Sequence, residues 1–201
     1  MSSPGDPPSE ARAHELREAV RERYAEVAGQ PAGQFPYPIG REGALALGYD
    51  EAALDEVPTE VVDRFVGVGN PLDIARPARG ERVLDLGCGC GLDALVASRL
   101  VGDDGYVVGV DLTPEMIELA QGAGRANVHL QVGSVEALSF GDGSFDRVIS
   151  NGVLNLVPDK DAAFAEAFRV LRPGGRFVVA DLLVTETVPE EMLASLDAWS
   201  T

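Results

Sequence analysis

The strongest chemical signal in this chain is the stretch Val83-Leu84-Asp85-Leu86-Gly87-Cys88-Gly89-Cys90-Gly91. A short apolar run holding an acid passes into three glycines at alternate positions, and Leu92 to Leu100 continues as a helix. That order predicts a strand, a glycine turn and a helix N-terminus. Glycine suits the turn because it accepts φ > 0 and lets backbone approach a ligand closely. The free N–H groups of the helix start favour a carboxylate or a phosphate. Two more positions belong at the same end of such a sheet. Asp111 closes the next apolar run, and a carboxylate there offers two acceptor oxygens to the two hydroxyls of a ribose. The turn Gly133-Ser134-Val135-Glu136 would meet an adenine edge. The set fits a nucleoside cofactor, either NAD or S-adenosylmethionine.

The elements that must hold these groups follow from the spacing. Residues 1–9 contain three prolines and read as a disordered tail. A helix is predicted from Glu10 to Ala28, with Leu16, Ala19, Val20, Tyr24 and Val27 recurring on one side. Gly29 to Gly43 reads as a Pro/Gly-rich loop, followed by helical pieces at Tyr49–Glu56 and Thr59–Val66 and a tight turn at Gly67-Val68-Gly69-Asn70-Pro71. Further strands are predicted at Tyr106–Val110, Val128–Val132, Phe145–Ser150 and Arg176–Ala180. Thr113 and Pro114 open a helix reaching Ala120, and another runs from Asp161 to Leu171 with Ala163, Phe164, Ala167, Phe168 and Leu171 inward. A last helix is expected at Pro189–Trp199. Strands separated by helical patterns require crossovers. The fold class is therefore α/β, a doubly wound, mostly parallel sheet with helices on both faces. Residues 10–80 would form a helical and loop cap over the cofactor site, and residues 81–201 the cofactor-binding core.

Composition narrows the partners. The formal net charge of the 201 residues is −17, and Lys160 is the only lysine. So acidic a surface repels phosphate backbones and anionic membranes, which argues against nucleic-acid binding and membrane attachment. No signal-peptide pattern opens the chain and no apolar run reaches spanning length, so a cytoplasmic location is expected. Cys88 and Cys90, the two cysteines, both lie in the glycine loop, too close for an ordinary disulfide and too few for a zinc site; no metal is expected.

Two features separate the cofactors. The loop runs G-x-G-x-G rather than the dinucleotide G-x-G-x-x-G, and Asp85 stands two residues before its first glycine. An acid aimed there opposes a pyrophosphate and suits the ammonium of a methionine moiety. The second feature is a resemblance. Val83 to Gly91, Val108 to Met116, Ser144-Phe145-Asp146 and Leu171-Arg172-Pro173-Gly174-Gly175 resemble the successive motifs of class I S-adenosylmethionine-dependent methyltransferases. Ser150 to Lys160, Leu47-Gly48-Tyr49 and Gly67 to Pro71 are similar to the arsenite methyltransferase group, with quinone-biosynthesis C-methyltransferases as looser relatives. The resemblance implies a Rossmann-like fold, S-adenosylmethionine as cofactor, and methyl transfer to a small-molecule acceptor. It implies that Asp85, Gly87 and Gly89, with Cys88 between them, hold the methionine portion and Asp111 the ribose. Leu112 and Met116 would flank the adenine, Val135 and Glu136 would lie near its edge, and Asn151 beside the amino group.

The chain departs from the arsenite group in two ways. It has Val68 and Gly152 where that group's motifs carry cysteines, so an organic acceptor is expected in place of arsenic. The antiparallel strands that close the superfamily's sheet find no counterpart after Ala180. A bare sheet edge is ordinarily covered, so the expectation is a fragment, or a homodimer, partner subunit or N-terminal segment over that edge. No catalytic base is identified: His14 lies in the first helix, and His129, mid-strand, reads as a packed structural residue. Tyr24, Tyr37 and Tyr49 fall in the segment expected to cover the cofactor.

Overall fold

The computed structural model describes residues 8–121 and 124–183; the helix expected at Pro189–Trp199 lies outside them. Five strands, β1 (Arg82–Leu86), β2 (Tyr106–Asp111), β3 (Val128–Val132), β4 (Phe145–Asn151) and β5 (Leu171–Ala180), form one sheet in the order β3-β2-β1-β4-β5. Every pairing is parallel. The order runs away from β1 in both directions, so successive crossovers part between β1 and β4, and a crevice opens there at the strands' carboxyl ends.

Strand alternation builds two cores. Val83, Val107, Ile149 and Val178 face one side, and Leu84, Leu86, Val108, Val110 and Val148 the other. Parallel strands covered on both faces need apolar residues at both parities, which these runs supply. The first face carries α6 (Leu92–Val101) and α7 (Pro114–Gln121), with five N-terminal helices packed around them. These are α1 (Glu10–Gly29), α2 (Gly40–Ala46), α3 (Glu51–Asp55), α4 (Thr59–Val62) and α5 (Pro71–Ala75). The second face carries α8 (Lys160–Val170), a 3-10 turn (Leu154–Leu156) and the helix-free connection from β3 to β4.

Side-chain caps set several of these boundaries. Ser9 accepts the Arg12 N–H, Asp50 that of Ala53, Asn70 that of Leu72 and Asp159 that of Ala162. Asn70 with Pro71 at the first turn thus starts α5, a helix that the tight-turn reading misses. Gly40, at φ +64°, opens α2 inside what reads as loop, because its N–H is bound by the Phe65 carbonyl.

Two inward-facing expectations are corrected. Phe164 and Phe168 are 47% and 79% exposed, and the buried stripe of α8 is Ala163, Ala167 and Val170. Alanines let the helix lie close on the sheet, which turns Phe164 sideways against Phe177 on β5. His129 is exposed, not packed. Val128 and Leu130 take the covered face of the edge strand β3, and among the described residues no helix covers the face His129 occupies. The strand β5 starts earlier than expected. While β4 advances from Phe145 to Arg147, β5 advances from Leu171 to Arg176, so Pro173-Gly174-Gly175 forms a bulge within it. Among the described residues no strand pairs with the outer edge of β5.

Candidate cofactor site

At the carboxyl end of β1 the chain turns through Gly87, Gly89 and Gly91, at φ +69°, +52° and +87°. The glycines are required for different reasons. A Cβ on Gly87 would lie 2.3 Å from Val153 Cγ2, whereas a Cβ on Gly89 would meet nothing within 4 Å. The loop is therefore wedged against the protein at Gly87 and open at Gly89, a cradle for a ligand. Gly91 starts α6 with no side-chain cap, leaving its first N–H groups turned to the cavity end of the helix.

Asp111 ties this loop to β2. One carboxylate oxygen accepts the Gly89 N–H at 2.8 Å and the other the Thr113 N–H at 2.8 Å. The Thr113 hydroxyl and the Leu112 N–H also donate toward this carboxylate. Burial raises the Asp111 carboxyl above its usual range despite those N–H donors.

Beneath the loop lies Asp85, 2% exposed. It accepts the Ala94 N–H, but its Oδ2 has no hydrogen-bond partner among the described residues. Burial, then the charges of Asp93 and Asp111, push its carboxyl well up. Asp93, on the first turn of α6, accepts from the Tyr49 hydroxyl at 2.5 Å and from Asn151 Nδ2 at 3.1 Å. Its carboxyl is pushed up to about 6, burial outweighing those two donors. Asn151 in turn fastens the Gly67–Gly69 turn: its Oδ1 accepts the Val68 and Gly69 N–H groups, and its Nδ2 donates to the Gly69 carbonyl at 2.8 Å. A buried carboxylate oxygen without a donor is costly unless a cation completes it. The Asp85–Asp93 pair thus concentrates two buried acidic groups at the floor of the cavity.

Opposite this floor stands α1, which contributes Arg17, Val20 and Tyr24 to the cavity. It is fixed by Glu136, whose carboxylate accepts two hydrogen bonds from Arg17, at 2.7 and 3.1 Å, and another from the Asp159 N–H at 3.0 Å. Met116 and Val135 are buried, and Cys90 Sγ sits 3.1 Å from Met116 Sδ. These make the slot between floor and roof apolar where a base would stack.

Of the sequence-derived residues, Gly87, Cys88, Gly89, Asp111, Leu112, Met116, Val135, Glu136 and Asn151 all line this one cavity. Asp85 lies under it. Glu136 differs from its expected role at an adenine edge, since its oxygens are taken by Arg17 and Asp159. Tyr24 lines the cavity, Tyr49 backs Asp93, and Tyr37 packs on Phe35 away from it. Sequence reasoning misses Asp93, Arg17 and Arg64, which also line the wall. For Asp93 a signal exists, an acid directly after the glycine loop. For Arg17, in a polar helical segment, and Arg64, in the turn after α4, there is none.

The open cradle at Gly89, the acceptor pair on Asp111 and the orphaned Asp85 oxygen fit an adenosine that carries a cationic methionine end. Comparison with known proteins agrees. Residues 77–201 match the family described as Methyltransferase domain. The arsenite methyltransferase of Halobacterium salinarum is 39% identical over 92% of this chain and 51% of its own length. The ubiquinone/menaquinone biosynthesis C-methyltransferase of Vibrio campbellii is 33% identical over 77% of this chain and 68% of that protein. Among solved structures, CrArsM, an arsenic(III) S-adenosylmethionine methyltransferase from Chlamydomonas reinhardtii, superimposes with a TM-score of 0.65 at 44% identity, covering 70% of this chain and 51% of that one. The chain spans about half the length of the arsenite methyltransferases it matches. Fold, loop and matches together place the chain in the class I S-adenosylmethionine-dependent methyltransferase family.

Proposed function

We propose that this chain transfers the methyl group of S-adenosylmethionine to an organic small molecule and not to arsenite. The observation that carries the acceptor half of this reading is the pairing of positions 68 and 152. A Cβ on Gly152, which lines the cavity, would lie 3.5 Å from Val68 Cγ1, so these two positions are neighbours. By the sequence resemblance they hold cysteines in arsenite methyltransferases; here they hold a valine and no side chain. Trivalent arsenic needs soft thiolate ligands. The two thiols of this sequence are buried in the cofactor loop, and burial pushes Cys90 up to about 12 and Cys88 upward as well.

Bound S-adenosylmethionine supplies a methyl group on a sulfonium, open to in-line displacement. The residues of the chain supply position and a dry slot. Asp111 would offer its carboxylate to the ribose hydroxyls, and Gly89 leaves room for the ligand. Asp85 and Asp93 complement the ammonium, and Met116, Leu112 and Val135 enclose the base. Tyr24 and Val20 on α1 close the slot from above. No histidine lines the cavity among the described residues, so the reading assigns no proton acceptor. It favours an acceptor already nucleophilic at neutral pH: a thiolate, an activated carbon or an unprotonated amine.

The test is formation of S-adenosylhomocysteine with arsenite plus a thiol reductant, set against a panel of organic thiols, enolisable carbon acids and amines. Turnover with an organic acceptor and none with arsenite is expected. Methylated arsenic as the main product would overturn the acceptor reading. The double substitution Val68→Cys, Gly152→Cys should bring arsenite binding to a chain that lacks it.

A further inference from the structure

Among the described residues two cations reach the cavity, and they are not equivalent. Arg17 is neutralised by the bidentate Glu136 and lies 3.6 Å from Glu10 as well. Arg64 has no carboxylate within ion-pair distance among the described residues. Its Nε donates to the Ala28 carbonyl at 2.6 Å and its Nη1 to the Glu60 carbonyl at 2.9 Å. Two neutral carbonyls hold the guanidinium plane still and leave its charge uncompensated. Nη2 makes no hydrogen bond among the described residues.

The position of that charge is informative. Arg64 lines the cavity, and its field acts on the Cys90 thiol, so it stands by the glycine loop near the uncapped start of α6. This end of the cavity is positive, while Asp85 and Asp93 make the floor negative. A fixed guanidinium facing a cavity is suited to a carboxylate, which it meets with two parallel N–H donors or with one donor and its full charge. S-adenosylmethionine carries a single anionic group, the α-carboxylate of its methionine part. We propose that Arg64 holds that carboxylate, and so separates the cofactor from nucleosides that lack an amino-acid end. The inference rests on the cofactor reading above.

Calorimetry with two ligands on three proteins tests it. S-adenosylhomocysteine has the carboxylate; 5′-methylthioadenosine has the same adenosine thioether without the amino-acid end. In the wild type the first should bind much more tightly. Arg64→Gln should weaken S-adenosylhomocysteine by about 10- to 100-fold, the effect of losing a charge-assisted contact, and change methylthioadenosine by less than about threefold. Arg64→Lys, which keeps the charge, should recover part of the loss. Because Arg64 also ties α1 to α4, a merely structural role would lower both ligands together, and that result would overturn the inference. Binding of neither ligand by folded wild-type protein would overturn the cofactor reading and this inference with it. Tight S-adenosylhomocysteine binding that Arg64→Gln leaves unchanged would overturn the inference alone.

Discussion

The floor and the roof of the cavity are built by different physics. The floor consists of strand ends and glycine turns, and its atoms are placed by backbone: the β1–β2 register, the three positive-φ glycines and the Gly89 N–H on Asp111. The roof consists of N-terminal helices that share little backbone hydrogen bonding with the sheet. It is held by side chains reaching far along the sequence, Arg17 to Glu136 across 119 residues and Asn151 to Tyr49 across 102. A floor set by backbone keeps its shape through most side-chain changes. A roof keyed by a few polar pairs depends on each of them, and can be tuned through them without disturbing the floor.

The sharpest break on the floor is Asp111→Ala. Loss of a charged acceptor facing two ribose hydroxyls should lower S-adenosylhomocysteine affinity about a hundredfold in calorimetry. A drop of less than about threefold would place the ribose elsewhere.

The two glycines of the loop should then part company. Gly87→Ala forces a Cβ to 2.3 Å from Val153 at positive φ, and should cost about 2–3 kcal/mol in denaturant unfolding. Gly89→Ala meets open space, so its stability cost should stay near 1 kcal/mol while ligand affinity falls. Equal stability losses would mean that the Gly89 side is not the ligand's.

On the roof, Arg17→Met and Glu136→Gln should each cost about 1–2 kcal/mol, the Arg17 side chain being 25% and the Glu136 side chain 9% exposed. The double variant should cost clearly less than the two losses added. Glu136 would not be stranded without Arg17, since the Asp159 N–H and the Ser134 hydroxyl still donate to it. Thermal melts of the four proteins give the cycle; strict additivity would mean that the pair does not hold α1 down.

An effect of similar size joins floor and roof at Asp93. Burial pushes its folded carboxyl up to about 6 from an ordinary 3.8, so the folded state binds the proton more tightly than the unfolded chain. Stability contributed by this group is therefore present at low pH and declines as pH rises from about 4 through 6. A ligand with an ammonium prefers the ionised form. Its affinity should rise about tenfold from pH 5 to 7, with proton release seen as a buffer-dependent enthalpy. Asp93→Asn should flatten that profile. A profile unchanged by the substitution would assign the titration to another group.

Much of the floor is legible in the sequence. The alternating apolar runs mark the strands, the glycine spacing marks the loop, and Asp111 stands where a strand-end acid must face the crevice. Each of these signals depends on residues within one turn or one strand of each other. The role of Glu136 is not legible, because its partner Arg17 lies in a helix that reads simply as polar on that side. The inward face of α8 is misread because Phe164 and Phe168 carry a stronger hydrophobic signal than Ala163 and Ala167. Close helix–sheet packing selects the smaller pair.

The sequence by itself determined the order of strand, loop and helix, the parallel sheet and the residues of the cofactor loop, since these follow from local periodicity and backbone sterics. Only the tertiary structure decided which charges are compensated: Asp85 left short of a donor, Asp93 shared between Tyr49 and Asn151, Arg17 neutralised and Arg64 not. The physical reason is that desolvation and ion pairing depend on everything that surrounds a group in space, and packing assembles those neighbours from segments up to 119 residues apart.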